Sequence, residues 1–135
     1  MAKAKKAKLL SFTLPNKVGQ LAAASELIAG AKLDISAFCA IDAGQRAEFM
    51  VFTGKIPKAK VALAPLGVEI KEQDAVCVDI PNKTGRFYKV VKKVAEAGIN
   101  IKFSWGTAFT GKTATVVLMT SDDAKTIATI NAKKG

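Results

Sequence analysis

One phrase occurs twice in this chain: Leu14-Pro15-Asn16-Lys17-Val18-Gly19-Gln20-Leu21 returns 66 residues later as Ile80-Pro81-Asn82-Lys83-Thr84-Gly85-Arg86-Phe87. A repeat on this scale predicts two copies of one folding unit. Each copy closes an alternating apolar run and opens an amphipathic one. The phrase therefore belongs on a strand-to-helix loop with a helix N-terminus behind it, a place whose free backbone N–H groups suit an anion. The displacement persists downstream: Leu33-Asp34-Ile35 falls on Ile99-Asn100-Ile101 and, with one residue inserted, residues 49–53 fall on 116–120.

In the first copy Leu10, Phe12 and Leu14 alternate with Ser11 and Thr13, the period of a half-buried strand. A helix follows to about Ala31, its apolar positions Val18, Leu21, Ala24 and Ile28 recurring at helical spacing. Leu33, Ile35, Ala37, Cys39 and Ile41 alternate as a second strand, Asp42 to Gln45 makes a hairpin turn, and Arg46 to Thr53 pairs back. Pro57 opens a short helix that Pro65 and Gly67 end, and Val68 to Glu72 makes a fourth strand.

The second copy repeats this order with Val76, Val78 and Ile80 inward, a helix carrying Phe87, Val90, Val91 and Val94, and Gly98 as its left-handed cap. Ile99, Ile101, Phe103 and Trp105 are expected on one side of the next strand. Lys112 to Thr120 return, and Ser121 or Asp122 caps a last helix. No fourth strand follows. The expected fold class is α+β: two ferredoxin-like βαββαβ units in tandem, residues 1–73 and 74–135, the second lacking its last strand, with helices on one face of antiparallel sheets. Phe38, Met50, Phe52, Val116 and Leu118 are expected on the opposite face, an apolar surface best covered by a second chain in a homodimer.

Half of the 135 residues are hydrophobic, which favours packed cores over disorder. No run approaches the roughly 20 apolar residues that span a bilayer, and the first residues lack the apolar core of a signal peptide, so a cytoplasmic protein is expected. The net charge of +10 includes Lys3, Lys5, Lys6 and Lys8, read as a basic tail ahead of the first strand. Cys39 and Cys77, far apart within apolar runs, suit buried thiols better than a disulfide or metal clasp.

With these residues in place the chain resembles the tandem ACT-domain proteins, small amino-acid-sensing modules. The resemblance covers about residues 8 to 130 and rests on Pro15 to Gly19, Pro81 to Gly85 and the Ala97-Gly98-Ile99-Asn100-Ile101 junction. Lys32 departs from it, standing where the second copy has Gly98. The resemblance implies a non-enzymatic regulatory protein that binds a small amino acid and modulates a metabolic enzyme or pathway. It implies a site where the loop after a first strand meets the helix-to-strand junction of a neighbouring module. That nominates Asn16, Lys17, Val18 and Gly19 with Asp34 and Ile35, and Asn82, Lys83, Thr84 and Gly85 with Asn100 and Ile101. A loop running into a helix start suits a carboxylate, and the side chain of Asp34 or Asn100 suits an ammonium. Asn16 and Asn82 also suit plain helix caps.

Gly106 to Thr113 fits the P-loop pattern, but residues 113–119 read as a strand where that motif needs a helix. The chain has no histidine and no recognisable nucleophile–base pair, so no catalytic, metal or cofactor site is nominated. Nucleic-acid binding is the alternative function: a basic ferredoxin-like sheet describes RNA-recognition modules too, although their basic-glycine-aromatic signature is absent here.

Overall fold

The computed structural model describes residues 2–35, 37–106 and 111–132. Its elements run β1 (Lys3–Pro15), α1 (Gln20–Gly30), β2 (Ala37–Ala43), β3 (Arg46–Phe52), α2 (Ile56–Leu63), a 3-10 turn (Ala64–Leu66), β4 (Lys71–Pro81), α3 (Arg86–Glu96), β5 (Ile101–Gly106), β6 (Thr113–Thr120) and α4 (Asp123–Asn131). The expected helices are all present and the strands follow in the expected order, except that those expected at 68–72 and at 76–80 are joined in the single strand β4. The chain divides into two compact units, residues 8–73 and residues 74–135 together with 1–7.

In the first unit, 8–73, the strand order is β2-β3-β1 followed by the opening residues of β4. Leu10, Phe12 and Leu14 of β1 stand opposite Val51, Phe49 and Ala47 of β3. They pack with Ala24 and Ile28 of α1 and Ala59 and Leu63 of α2 into one core, in which the rings of Phe12 and Phe49 stack at 5.2 Å. Each large side chain so buried contributes about 1.5–3 kcal/mol.

The second unit has the order β4-β6-β5, and β1 supplies the neighbour on the outer side of β4 through its first residues. Val76, Val78 and Ile80 lie opposite Leu118, Val116 and Ala114, beneath Val90 and Val94 of α3 and Ile130 of α4. Ala4 belongs to this core. Its N–H donates to Asn131 Oδ1 and its carbonyl accepts from Asn131 Nδ2, both at 2.8 Å. The lysine-rich segment is therefore not a tail. It is strand, with Ala4 turned inward, and it stands where the second copy was expected to lack an element. Likewise, of the strand expected at Val68 to Glu72 only Lys71 and Glu72 are strand, and they open one long strand, Lys71–Pro81.

Ladder register corrects several side assignments. Val116 and Leu118 were expected on the face away from the helices; they sit in the core under α3, opposite Val78 and Val76. Phe38 lies opposite the core residue Val51, so it too is on the helix side, while Met50 and Phe52 do face away. A register shift between Ile101 and Phe103 turns Phe103 and Trp105 to the other face from Ile101, opposite Met119 and Val117, with their rings edge to face at 5.4 Å. Cys77 and Val117, a pair on the face away from the helices, are already buried in the single chain. The apolar face that motivated a sheet-to-sheet homodimer is thus smaller than expected.

Candidate ligand-binding loops

Both copies of the repeated phrase form the same loop. At Asn16 the backbone N–H donates to Gln45 O at 2.9 Å, and the side-chain amide donates to Gly44 O and to Asp42 Oδ1, each at 2.9 Å. In the second unit the Asn82 N–H donates to Lys112 O at 2.8 Å and its side chain to Gly111 O at 2.9 Å. Each asparagine straps the tip of the following hairpin to the end of the first strand. Neither caps a helix. The N-cap positions are Gly19 and Gly85, at φ 90° and 85°, and no side chain caps either helix. Glycine reaches that conformation without strain. Among the described residues, no atom beyond the chain neighbours lies within 4 Å of where a Cβ would stand at either position.

The remaining nominated residues divide. Lys17, Val18, Lys83 and Thr84 are exposed on the two loops, Val18 fully so. Asp34 is exposed and, among the described residues, carries no ion pair. Ile35 lines a small cavity of about 40 Å³ with Leu21, Ser25 and Phe38. Asn100 is engaged through its backbone, its N–H donating to Ser121 Oγ at 3.1 Å and its carbonyl accepting from Ser121 N at 2.9 Å. Ile101 packs against the core of the second unit. The structure thus sets Ile35 beside the first turn of α1, while the side chains of Asn16 and Asn82 are committed to the hairpins.

Sequence reasoning did not nominate Leu21 and Phe38, although the repeat matches Leu21 with Phe87, and both of these are exposed. It also did not nominate an open groove of about 410 Å³ on the sheet face of the first unit, lined among others by Ser11, Thr13, Arg46, Glu48, Lys71 and Gln73. There Arg46 Nη2 donates to Thr13 O at 3.2 Å and Gln73 Nε2 to Ser11 Oγ at 3.1 Å.

Among the described residues, no group of histidine, cysteine or carboxylate side chains could hold a metal ion, and no helix is long and apolar enough to cross a membrane. The cysteines are free thiols, Cys77 buried and Cys39 half-buried, both raised above the usual thiol range by burial. Residues 107–110 of the P-loop-like stretch lie outside the described residues, and Thr113 opens strand β6 rather than a helix.

No protein-family model and no curated protein matches the chain. Solved structures do. The protein BT0572 from Bacteroides thetaiotaomicron superposes with a TM-score of 0.86 at 28% identity, covering 94% of this chain and 88% of that one. The regulatory subunit of aspartate kinase from Thermus thermophilus, in a ligand-free form, gives 0.69 at 17% identity, covering 96% and 93%. A structure of the aspartokinase alpha and beta subunits gives 0.65 at 17%, again covering 96% and 93%. The fold of the chain is ACT-like. At 17% identity the likeness to the aspartate kinase structures speaks to fold alone.

Proposed function

We propose that this ACT-like protein is a non-enzymatic regulator that binds a small amino acid and modulates a metabolic enzyme or pathway. The observation that carries the reading is the twice-built loop. At Gly19 and at Gly85 the chain takes a left-handed turn into a helix that no side chain caps, with open space over the glycine. Backbone N–H groups at such a helix start attract a carboxylate. Lys17 or Lys83 on the same loop adds positive charge.

In the first unit the exposed Asp34 carboxylate supplies a counter-charge for an ammonium, and Ile35 with Leu21 supplies an apolar wall. The second site has Asn100 in place of Asp34, so the first binds tighter. Support also comes from a fold neighbour: aspartokinase III of E. coli, matched over 96% of this chain and 31% of that one, has been solved in complex with lysine and aspartate. Ligand acts by differential affinity: it favours one arrangement of the protein, and an enzyme partner that prefers that arrangement is switched.

The test is a thermal-shift screen of the purified protein against the twenty amino acids. A ligand at 100 times its dissociation constant adds about 2.7 kcal/mol to stability. One amino acid or a chemically related set raising the midpoint, with the rise weakened in Asp34→Asn, supports the reading. Silence from all twenty ends it.

A second reading has one specific observation in its favour. Helix α3 and its preceding loop carry Lys83, Arg86, Lys89 and Lys92 beside the exposed rings of Phe87 and Tyr88, and Lys92 Nζ lies 5.9 Å from the Tyr88 ring centroid. Cations interleaved with aromatics suit single-stranded nucleic acid. A short RNA in the same screen, with a response that weakens as salt rises, would favour it.

A further inference from the structure

We propose that the groove on the open sheet face of the first unit binds a free dipeptide. The groove holds about 410 Å³, within the roughly 300–1,000 Å³ of small-molecule sites. It lies wholly within residues 8–73 and shares no residue with the loops nominated for an amino acid. Its lining balances two cations, Arg46 and Lys71, against two carboxylates, Glu48 and Glu69, on a chain whose net charge is +10. A ligand with no net charge fits that balance, and a polyanion is drawn elsewhere on the protein.

Two of these charges are left open. Glu48 has no ion pair or side-chain hydrogen bond among the described residues. Arg46 spends one donor on Thr13 O, at 3.2 Å, and the rest of its planar fork suits a carboxylate. Lys71 and Glu69 instead stand 3.9 Å from each other. Arg46 and Glu48 project from the same face of β3 at alternate positions, a separation of about 7 Å. That is the reach of a pair of extended residues at roughly 3.3–3.6 Å each. A dipeptide thus sets its carboxylate on Arg46 and its ammonium on Glu48. Its amide, which must both donate and accept, falls beside the Thr13 hydroxyl, which does both. A lone α-amino acid carries both charges on one carbon, too close together to span the pair. A dicarboxylate or phosphate faces the Glu48 charge, and a diamine faces Arg46.

The repeat shows that the fold does not need these open groups. The cross-strand pairs Ser11–Met50 and Thr13–Glu48 of the first unit correspond to Cys77–Val117 and Asp79–Thr115 of the second. There Cys77 and Val117 are buried, and Thr115 Oγ1 donates to Asp79 Oδ1 at 2.8 Å. The first unit carries the same carboxylate and hydroxyl with their strands exchanged, and leaves them unbonded to each other. One copy has closed its sheet face on itself, while the other presents a hydroxyl, a carboxylate and a guanidinium to solvent.

An NMR titration of the full chain with dialanine tests it. The amide signals of Thr13 and Glu48 should shift to saturation, while those of Asp34 and Ile35 stay in place. N-acetyl-dialanine amide, which lacks both end charges, and inorganic phosphate should shift none of them. The compound δ-aminovalerate, with the end charges but no amide, should bind more weakly than dialanine. Glu48→Gln, which breaks no bond in the free protein, should weaken dialanine binding about tenfold, and Asp34→Asn should leave it unchanged. No saturating shift at tens of millimolar overturns the proposal, as does equal binding of the blocked peptide or of δ-aminovalerate, or full affinity in Glu48→Gln. Because the groove and the loops share no residue, silence from dialanine leaves the amino-acid screen to stand or fall by itself.

Discussion

Asn16 donates its side-chain amide to the Gly44 carbonyl at 2.9 Å, a bond repeated between Asn82 and Gly111. The repeated asparagine is thus a strap between the end of one strand and the tip of the next hairpin. Removing it should loosen the hairpin in each unit. Because the groups are exposed, Asn16→Ala and Asn82→Ala should each cost only about 0.5–1.5 kcal/mol in urea denaturation. A loss of amino-acid response without any loss of stability would instead place the asparagine side chain on the ligand.

Asn131 should matter more than its place near the end of the chain suggests. Its amide makes both hydrogen bonds to Ala4, whose backbone groups are partly buried. Asn131→Ala leaves a donor and an acceptor unpaired at once, at a cost of about 1–3 kcal/mol by chemical denaturation. Removing residues 2–7 should destabilise the second unit at least as much, since a strand and a core alanine go with them. A true tail would come off without effect.

Lys32 adopts φ 57°, the left-handed conformation that Gly98 adopts at φ 75° in the other copy. A side chain there costs about 1–2 kcal/mol. Lys32→Gly should therefore raise the thermal midpoint despite the greater freedom glycine gives the unfolded chain, and Gly98→Lys should lower it.

Burial, together with the Asp79 carboxylate, raises the Cys77 thiol above its usual range, against an opposing pull from Lys5. The folded protein thus prefers the neutral thiol. Its contribution is fully present below the unfolded value of about 8.5 and is lost as pH rises through the higher folded value. The stability gap between wild type and Cys77→Ala, measured by denaturation at neutral and alkaline pH, should narrow above about pH 9. Alkylation of Cys77 in the native protein should be slow.

Element order was legible because the 2.0 and 3.6 periods are strong here and the repeat checks each half against the other. The faces were less legible. β6 reads Thr-Ala-Thr-Val-Val-Leu-Met-Thr and is buried on both sides, so alternation carries no sign for Val116 or Leu118. At Phe103 and Trp105 a register shift inverted the sides, and nothing in the local composition announces it. Lys3 to Lys8 reads as a solvated tail because lysines dominate it. An outer strand is where lysines belong, and the alternation that buries Ala4 lies hidden among small residues. The loops of the candidate site are nominated by the repeat and the resemblance it carries, whereas the asparagine–hairpin straps are visible only in the folded chain.

The pairing of Ala4 with Asn131 also orders events in time. As a chain is made from its N-terminus, residues 8–73 have emerged with every strand and helix of the first unit before most of the second exists. Ala4 must wait for a partner made 127 positions later. A strand made before the first unit is thus the last piece to join the second. Until Asn131 has emerged that strand lacks its partner, and the second unit closes only when these two distant residues can meet.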